Sequence, residues 1–366
     1  MTRDRELASW LQLALTPDIG AATLRRLLGD FGLPENVLAA GRAQLERYLP
    51  RTLIDAMHST AVARAVEQTL AWAQAPARAV VTLADATYPR LLLEISDPPP
   101  LLYCDGRVDL LNRPSLAVVG SRNATAQGLR NAEQFARAFS EAGLTIVSGL
   151  ALGIDAAAHR GGLAGLGSTI AVLGTGIDRV YPAQNQPLAE SVAAQGLLVS
   201  EFPLATPSRR QNFPRRNRLI SGLAHGCLVV EAALASGSLI TARAAADQGR
   251  EVFAIPGSIH SPLSRGCHAL IKSGAKLVET AEDVLTELAV YRRAAESGSR
   301  RTGSPPAPAP QPESPLLSHL GFDPVDIDAL CARSGLPAER VTAELLRLEL
   351  DGQVAALPGG LYQRQA

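Results

Sequence analysis

Between residues 80 and 278 the chain alternates short apolar runs with helical stretches, and this alternation restricts the fold more than any other feature. The runs are Val80–Leu83, Leu116–Gly120, Thr145–Ser148, Thr169–Leu173, Leu197–Ser200, Cys227–Val230, Glu251–Ile255 and Lys276–Val278. Most are continuously apolar, as expected of strands covered on both faces. Helices fit between them over Ala126–Ala142, Ile154–Leu163, Asn217–Ala224, Leu239–Gln248 and Gly266–Ser273. A βαβα order of this kind predicts an α/β fold built on a doubly wound, mostly parallel sheet. Ligands of such sheets sit beyond the carboxyl ends of the strands, so the residues that follow each strand carry the functional information.

The rest of the chain divides around this block. Residues 1–75 read as a small helical domain, with Leu11 and Leu15, then Leu24, Leu27 and Leu28, marking apolar faces on either side of a Pro17–Thr23 turn. Such a helix–turn–helix suits packing, or less readily a phosphate-binding hairpin. The α/β domain is expected over 76–290. A proline-rich linker follows over 291–315, where GSPPAPAPQPESP favours an extended, semi-rigid spacer. Residues 316–366 read as a winged helix: a helix over Val325–Cys331, a turn at Ser334-Gly335-Leu336, a helix over Pro337–Leu350, and a hairpin of Val354–Leu357 and Leu361-Tyr362 around Pro358-Gly359-Gly360. Its four arginines face seven acids, a net of −3, which disfavours duplex binding through a general field.

Several strand ends carry candidate ligand groups. Gly120, Ser121 and Arg122 make a glycine turn into a helix, either a phosphate site with a fixed charge or a bare turn. Ser148 and Gly149 follow the next strand. Asp155 and His159 share a face of the helix beyond, as a conceivable catalytic pair or as a first-turn acid beside a structural histidine. Gly174-Thr175-Gly176, with Tyr181, Pro182 and Asn185 downstream, offers another close approach to backbone. Gly237 and Ser238, with Thr241 one turn on, form a helix start suited to phosphate or to ordinary capping. Lys272 fits either an extension of a basic surface or simple exposure.

The most informative segment is SRRQNFPRRNRLIS. Arg209, Arg210, Arg215, Arg216 and Arg218 crowd ten residues without an acid, with Phe213 among them and Asn217 beside them. Arginines neutralise phosphates and a ring stacks on a base, the combination that single-stranded nucleic acid requires. The alternative is a solvated loop with Phe213 in the core. Aromatic residues make up only 4% of the chain, so one set in a basic cluster stands out.

Other classes are disfavoured. The 35 bases balance 35 acids, which argues against binding through bulk charge. The arginine bias itself (lysine occurs only at 272 and 276) also fits a genomic preference. The N-terminus lacks an apolar signal core, and Gly161–Ile177 is too short and glycine-broken to span a bilayer. Four scattered cysteines give no CxxC pair and predict a reducing compartment. A cytoplasmic protein without membrane contact, metal or cofactor is expected. No GxSxG, HExxH or P-loop is present, so no catalytic residues are assigned.

Read together, VVGSRNAT (118–125), VSGLALGIDAAAH (147–159), IAVLGTGIDRVYPAQN (170–185), SEFP (200–203), FPRRNRLISGLA (213–224) and VVEAALASGSLITARAAADQGREVFAIPGS (229–258) resemble the DNA-processing protein A family, also called DprA or Smf. The resemblance spans the middle block in order. It implies an extended Rossmann-like domain flanked by a helical SAM-like or helix-hairpin-helix-like domain and a C-terminal winged helix. It implies a non-enzymatic, sequence-independent single-stranded DNA-binding homodimer that protects incoming DNA and helps load the RecA recombinase in natural transformation. By motif, Arg122 lies beside DNA phosphates. Phe213, Arg215, Asn217 and Arg218 form the basic, aromatic part of the pocket, and Gly237, Ser238 and Thr241 line its edge. Two other readings are a nucleotide-phosphate-processing enzyme on a related fold, for which Glu231 lies on the wrong side of Gly237, and a winged-helix transcription regulator.

Overall fold

The computed structural model describes residues 2–288, 316, 319–320, 325–350, 354–357 and 361–364. The expected linker over 291–315 and the hairpin turn at 358–360 lie outside the described residues. The chain forms two compact units, Met1–Arg300 and Arg301–Ala366.

The first unit is organised by a nine-stranded sheet. Its strands are β1 (Arg78–Thr82), β2 (Leu101–Gly106), β3 (Ser115–Val119), β4 (Thr145–Ser148), β5 (Thr169–Val172), β6 (Leu197–Ser200), β7 (Gly226–Val229), β8 (Glu251–Ala254) and β9 (Lys276–Leu277). They lie in the order β1-β2-β6-β5-β4-β3-β7-β8-β9. Strands β3 to β9 are parallel, while β2 runs antiparallel to both β6 and β1. The chain winds outward from β3 to β6, then returns to lay β7 on the other side of β3. The crevice therefore opens beyond the carboxyl ends of β3 and β7, where the winding reverses.

Each expected strand is present, within one or two residues at its ends. Strand β2 was not expected: only its first four residues are fully buried, and it follows Asp97-Pro98-Pro99-Pro100, which reads as a turn. The continuous apolar runs have their predicted cause. Leu116 and Val118 belong to one buried face with Ile146 and Leu228. Ala117 and Val119 belong to the other with Val147, Val172 and Val229.

Among the described residues fourteen α-helices precede residue 288 in chain order, of which five form the layers around the crevice: α8 (Ala126–Glu141), α9 (Ile154–Leu163), α11 (Asn212–Gly222), α12 (Ser238–Asp247) and α13 (Arg265–Lys272). Helices α8 and α9 cover the Leu116/Val118 face with Ala132, Ala136, Phe139, Ala157 and Ala158. Helices α11 and α12 cover the other with Leu219, Ile220, Ala242 and Ala245. A Cβ on Gly161 of α9 would collide with the Glu133 carbonyl of α8, so this helix pair demands a glycine there. Helix α10 (Gln186–Gln195), unanticipated from sequence, covers β6 and β2.

Six helices form the N-terminal block: α1 (Thr2–Leu15), α2 (Ala21–Phe31), α3 (Pro34–Ala39), α4 (Arg42–Leu45), α5 (Arg51–Met57) and α6 (Thr60–Ala73). Their own core gathers Leu13, Leu24, Leu27, Val37 and Ile54. Trp10, Leu11, Val62 and Val66 pack instead with Val80, Leu101 and Tyr103, so the block is seated on the sheet's antiparallel edge. A short helix, α7 (Arg90–Leu93), links β1 to β2.

In the second unit, β10 (Val325–Asp326) pairs with β12 (Leu361–Arg364), which pairs with β11 (Val354–Leu357). Its helices span Ile327–Ser334 and Ala338–Leu350. The first starts later than its apolar pattern suggests because Asp326 caps it, accepting the Ala329 amide at 2.6 Å. Leu330, Val341, Leu345, Leu348 and Val354 fill the core of this winged helix. Among the described residues no helix is long and apolar enough to cross a membrane.

Candidate nucleic-acid interface

At the carboxyl edge of β3 and β7 lies a cleft of about 1100 Å³. The turn after β3 supplies Gly120, Ser121 and Arg122; the loop before α11 and that helix supply Arg210, Phe213, Arg216 and Asn217; the start of α12 supplies Gly237, Ser238 and Thr241. These candidates, up to 121 positions apart in sequence, thus converge on one site. A smaller cavity of about 70 Å³ adjoins it, lined by Arg122, Gly149, Tyr181, Phe213 and Arg216 among others.

Phe213 is neither in a solvated loop nor in the core. It lies on the second position of α11, half-buried, with its edge beneath Gly174: a Cβ there would come within 2.9 Å of the ring. Tyr181, itself 49% exposed, packs against it at a centroid distance of 5.6 Å and 45°. The Arg122 guanidinium lies 5.7 Å from the Phe213 ring centroid. Tyr181 is the residue that the site assignment from sequence omitted. Its signal, an aromatic beyond a strand-end glycine turn, was visible, but its pairing with Phe213 was not.

Helix phase divides the arginine cluster. Arg209 and Arg210 are exposed ahead of α11, and only Arg210 lines the cleft. Arg216 is on the cleft floor yet only 4% exposed, and it corrects the expectation of a solvent-facing phosphate ligand. Its guanidinium donates to the Gly149 carbonyl at 2.5 Å and to the Val172 carbonyl, tying the ends of β4 and β5 together. Burial lowers its pKa to about 10, while the neighbouring Asp155 carboxylate opposes that shift. Its Nε, also buried, has no hydrogen-bond partner among the described residues.

Arg215 and Arg218 also depart from expectation, for they project from the other side of α11 toward Glu201, whose side chain is 1% exposed. Glu201 accepts from Arg215 at 3.1 Å and from Arg218 at 2.5 Å. Burial pushes the Glu201 carboxyl up, and the two arginines pull it back. Neither arginine lines the cleft.

Ser148 is likewise fully buried, its hydroxyl spent on the Val118 carbonyl at 2.7 Å. Gly149 is present for proximity: a Cβ would run into the Arg216 guanidinium. Lys272, at the end of α13, is exposed and does not line the cleft.

The amides after β3 are not all available. Glu231, following β7, accepts from the Thr125 amide at 2.9 Å and its hydroxyl at 2.6 Å, and Thr125 caps the Gly128 amide. A protein carboxylate thus occupies the start of α8, where sequence suggested a phosphate. The start of α12 differs. Gly237 is exposed with open space where a Cβ would be, and Ser236 and Ser238 share a hydrogen bond at 2.7 Å.

Asp155 and His159 are structural. Asp155 accepts the Gly149 amide at 3.1 Å and the Ala151 amide at 3.3 Å. His159 Nε2 accepts the Leu150 amide at 3.2 Å, so its Nδ1 carries the proton and meets the Thr169 hydroxyl at 2.7 Å. Burial lowers the histidine to about 3 and keeps it neutral. Among the described residues no group of three or more His, Cys, Asp or Glu is placed to hold a metal ion.

Comparison with known proteins agrees with this arrangement. Residues 79–289 match the family model of DNA recombination-mediator protein A, and residues 300–360 that of the DprA winged helix domain. Protein Smf of Escherichia coli K12 is 44% identical over 302 residues, 81% of this chain and 80% of that protein. DNA processing protein DprA of Streptococcus pneumoniae R6 is 48% identical over 206 residues, 56% of this chain and 73% of that one. The X-ray structure of DprA from Streptococcus pneumoniae superposes with a TM-score of 0.61 at 37% identity, covering 75% of this chain and 95% of that one. A structure of DNA processing protein A from Helicobacter pylori, described for its single-stranded DNA binding mode, gives 0.52 at 30% identity, covering 58% and 96%. With its Rossmann-like sheet and its winged helix both matched, the chain belongs to the DNA recombination-mediator protein A (DprA/Smf) family.

Proposed function

We propose that this protein binds single-stranded DNA, without regard to sequence, in the cleft between the ends of β3 and β7. The observation that carries the reading is the Tyr181–Phe213 pair with Arg122 beside it, on a wall shared with Arg210. Stacking tolerates any base and guanidinium charges engage phosphates, so neither identifies sequence. Gly237 at the open start of α12 offers a further phosphate contact. The strand-contacting set is Gly120, Ser121, Arg122, Tyr181, Arg210, Phe213, Asn217, Gly237, Ser238 and Thr241, with Arg209, exposed just ahead of α11, flanking it. Its members act by binding, and no catalytic residue is assigned.

Family membership supports a recombination-mediator role: protecting incoming strands and helping load RecA in natural transformation, as a homodimer in the cytoplasm. Titrating the purified protein with single-stranded and duplex DNA of equal length, across salt, tests the first step. Tighter single-strand binding with a falling log–log salt dependence is expected. Equal or tighter duplex binding would overturn it and favour the regulator reading. Hydrolysis of nucleoside monophosphates would favour the enzyme.

A further inference from the structure

A chain of ion pairs runs from the N-terminal helical block to the back of α11. Arg25, on α2, donates to Asp97 at 2.7 Å and to the Pro98 carbonyl at 2.9 Å. Arg218, on α11, reaches the Asp97 carbonyl at 2.5 Å and its carboxylate at 3.6 Å. The same guanidinium bonds Glu201, which also holds Arg215. Tight packing accompanies the polar contacts. A Cβ on Gly222, the last residue of α11, would lie 2.8 Å from Leu92 and 3.0 Å from Ile95, in the segment that leads to Asp97. Helix α11 is therefore clamped on the side opposite the cleft, while Phe213 and Asn217 on its other side line the cleft.

We propose that Arg25, Asp97, Arg218 and Glu201 form a positioning relay that makes the N-terminal helical block part of the strand-binding apparatus. Arg25 does not line the cleft; it acts through Asp97 and Arg218 on the orientation of α11, and so on Phe213. Arg25 is also the dispensable member for folding, since its side chain is 26% exposed and the block retains a core of its own. A coupling of this kind is purely geometric. It changes how well preformed groups meet the strand, and leaves the number of phosphates neutralised unchanged.

The inference rests on the cleft binding single strands, and the experiment separates the two ideas. The full chain, Arg25→Ala and Arg25→Lys are titrated with a fluorescent oligothymidylate across salt, with thermal unfolding recorded in parallel. Arg25→Ala is expected to lose about fivefold or more in affinity, the size of a typical coupling between sites, with an unchanged salt slope. Arg25→Lys, which keeps a charge for Asp97, should regain part of the loss. A flattened slope would make Arg25 a direct phosphate ligand and overturn the relay. So would full affinity in Arg25→Ala, whether or not its unfolding midpoint falls. Should Arg25→Ala fail to fold, Asp97→Asn replaces it, with the same expectation and the same overturning results. Absence of strand binding by the unaltered protein would defeat the reading of the cleft itself.

Discussion

Replacing Arg216 by alanine tests whether the arginines of α11 are ligands or struts. From its place in a basic run, Arg216 ranks with its neighbours as a phosphate ligand. The structure instead buries it against the carbonyls of Gly149 and Val172 and beside Asp155. Alanine would leave Asp155 as a buried carboxylate supported by the Gly149 and Ala151 amides and the weaker pull of the Arg122 charge. Removing one partner from a buried charge pair costs about 3–5 kcal/mol. For the large first unit that corresponds to a drop of roughly 5–15 °C in unfolding midpoint. The pH dependence carries the sign. Burial already raises the Asp155 carboxyl in the folded protein, and loss of Arg216 raises it further. A carboxyl raised on folding favours the native state below its unfolded pKa, and that benefit is lost as pH rises through the folded one. Arg216→Ala should therefore be most destabilised at neutral pH and recover as pH falls toward about 4. The double variant Arg216→Met with Asp155→Asn, which removes both charges, should regain much of the stability at pH 7. Calorimetry of the three proteins between about pH 4 and 8 measures this. A shift of under 2 °C in Arg216→Ala, with a clearly flatter salt slope for DNA, would refute the reasoning.

Arg122→Ala and Arg210→Ala, singly, should each flatten the single-strand salt slope by about 0.7, one phosphate's worth, with little change in melting; an unaltered slope would place that guanidinium off the DNA path. Phe213→Ala should cost about 1–3 kcal/mol of strand affinity at constant slope, and equal affinity would show that no base stacks there. Gly237→Ala has room for its methyl group and an ordinary helical backbone, so its stability should hold while strand affinity falls if a phosphate approaches that amide. His159 and His225, lowered by burial to about 3 and about 4, are charged more readily in the unfolded chain. Stability is then fully present above about 6.5 and is lost as pH falls toward those values; His159→Gln should show a shallower loss in unfolding titrations, and an identical profile would remove His159 from the account.

Much of this molecule was legible because the relevant signals are local. A strand buried on both faces is apolar along most of its length, so Leu116–Val119 and Cys227–Val230 announce themselves. Helix α9 falls where its pattern puts it, Ile154–Leu163, since a glycine precedes it. Strand β2 escaped because its apolar stretch is short and proline-flanked, and its inclusion depends on pairing with β6, far along the chain. The site's location was legible too, because parallel winding sends every strand end to one edge.

The division of labour within the site was not. Five arginines look alike in a row, but the helix turns successive residues toward different neighbours. Glu201, Asp97 and Asp155 then decide which charges are spent inside the protein. Those partners are separated from α11 by as many as 121 residues, as in the Arg218 contact with Asp97, and no sequence spacing encodes them. By itself the sequence determined the sheet, the winding and the edge where a ligand sits. Only the tertiary structure decided that Arg122 and Arg210 face the cleft, that Arg215, Arg216 and Arg218 brace it, and that Tyr181 joins Phe213. Backbone preference and burial pattern are properties of neighbouring residues, whereas charge compensation belongs to pairs that meet only once the chain has folded.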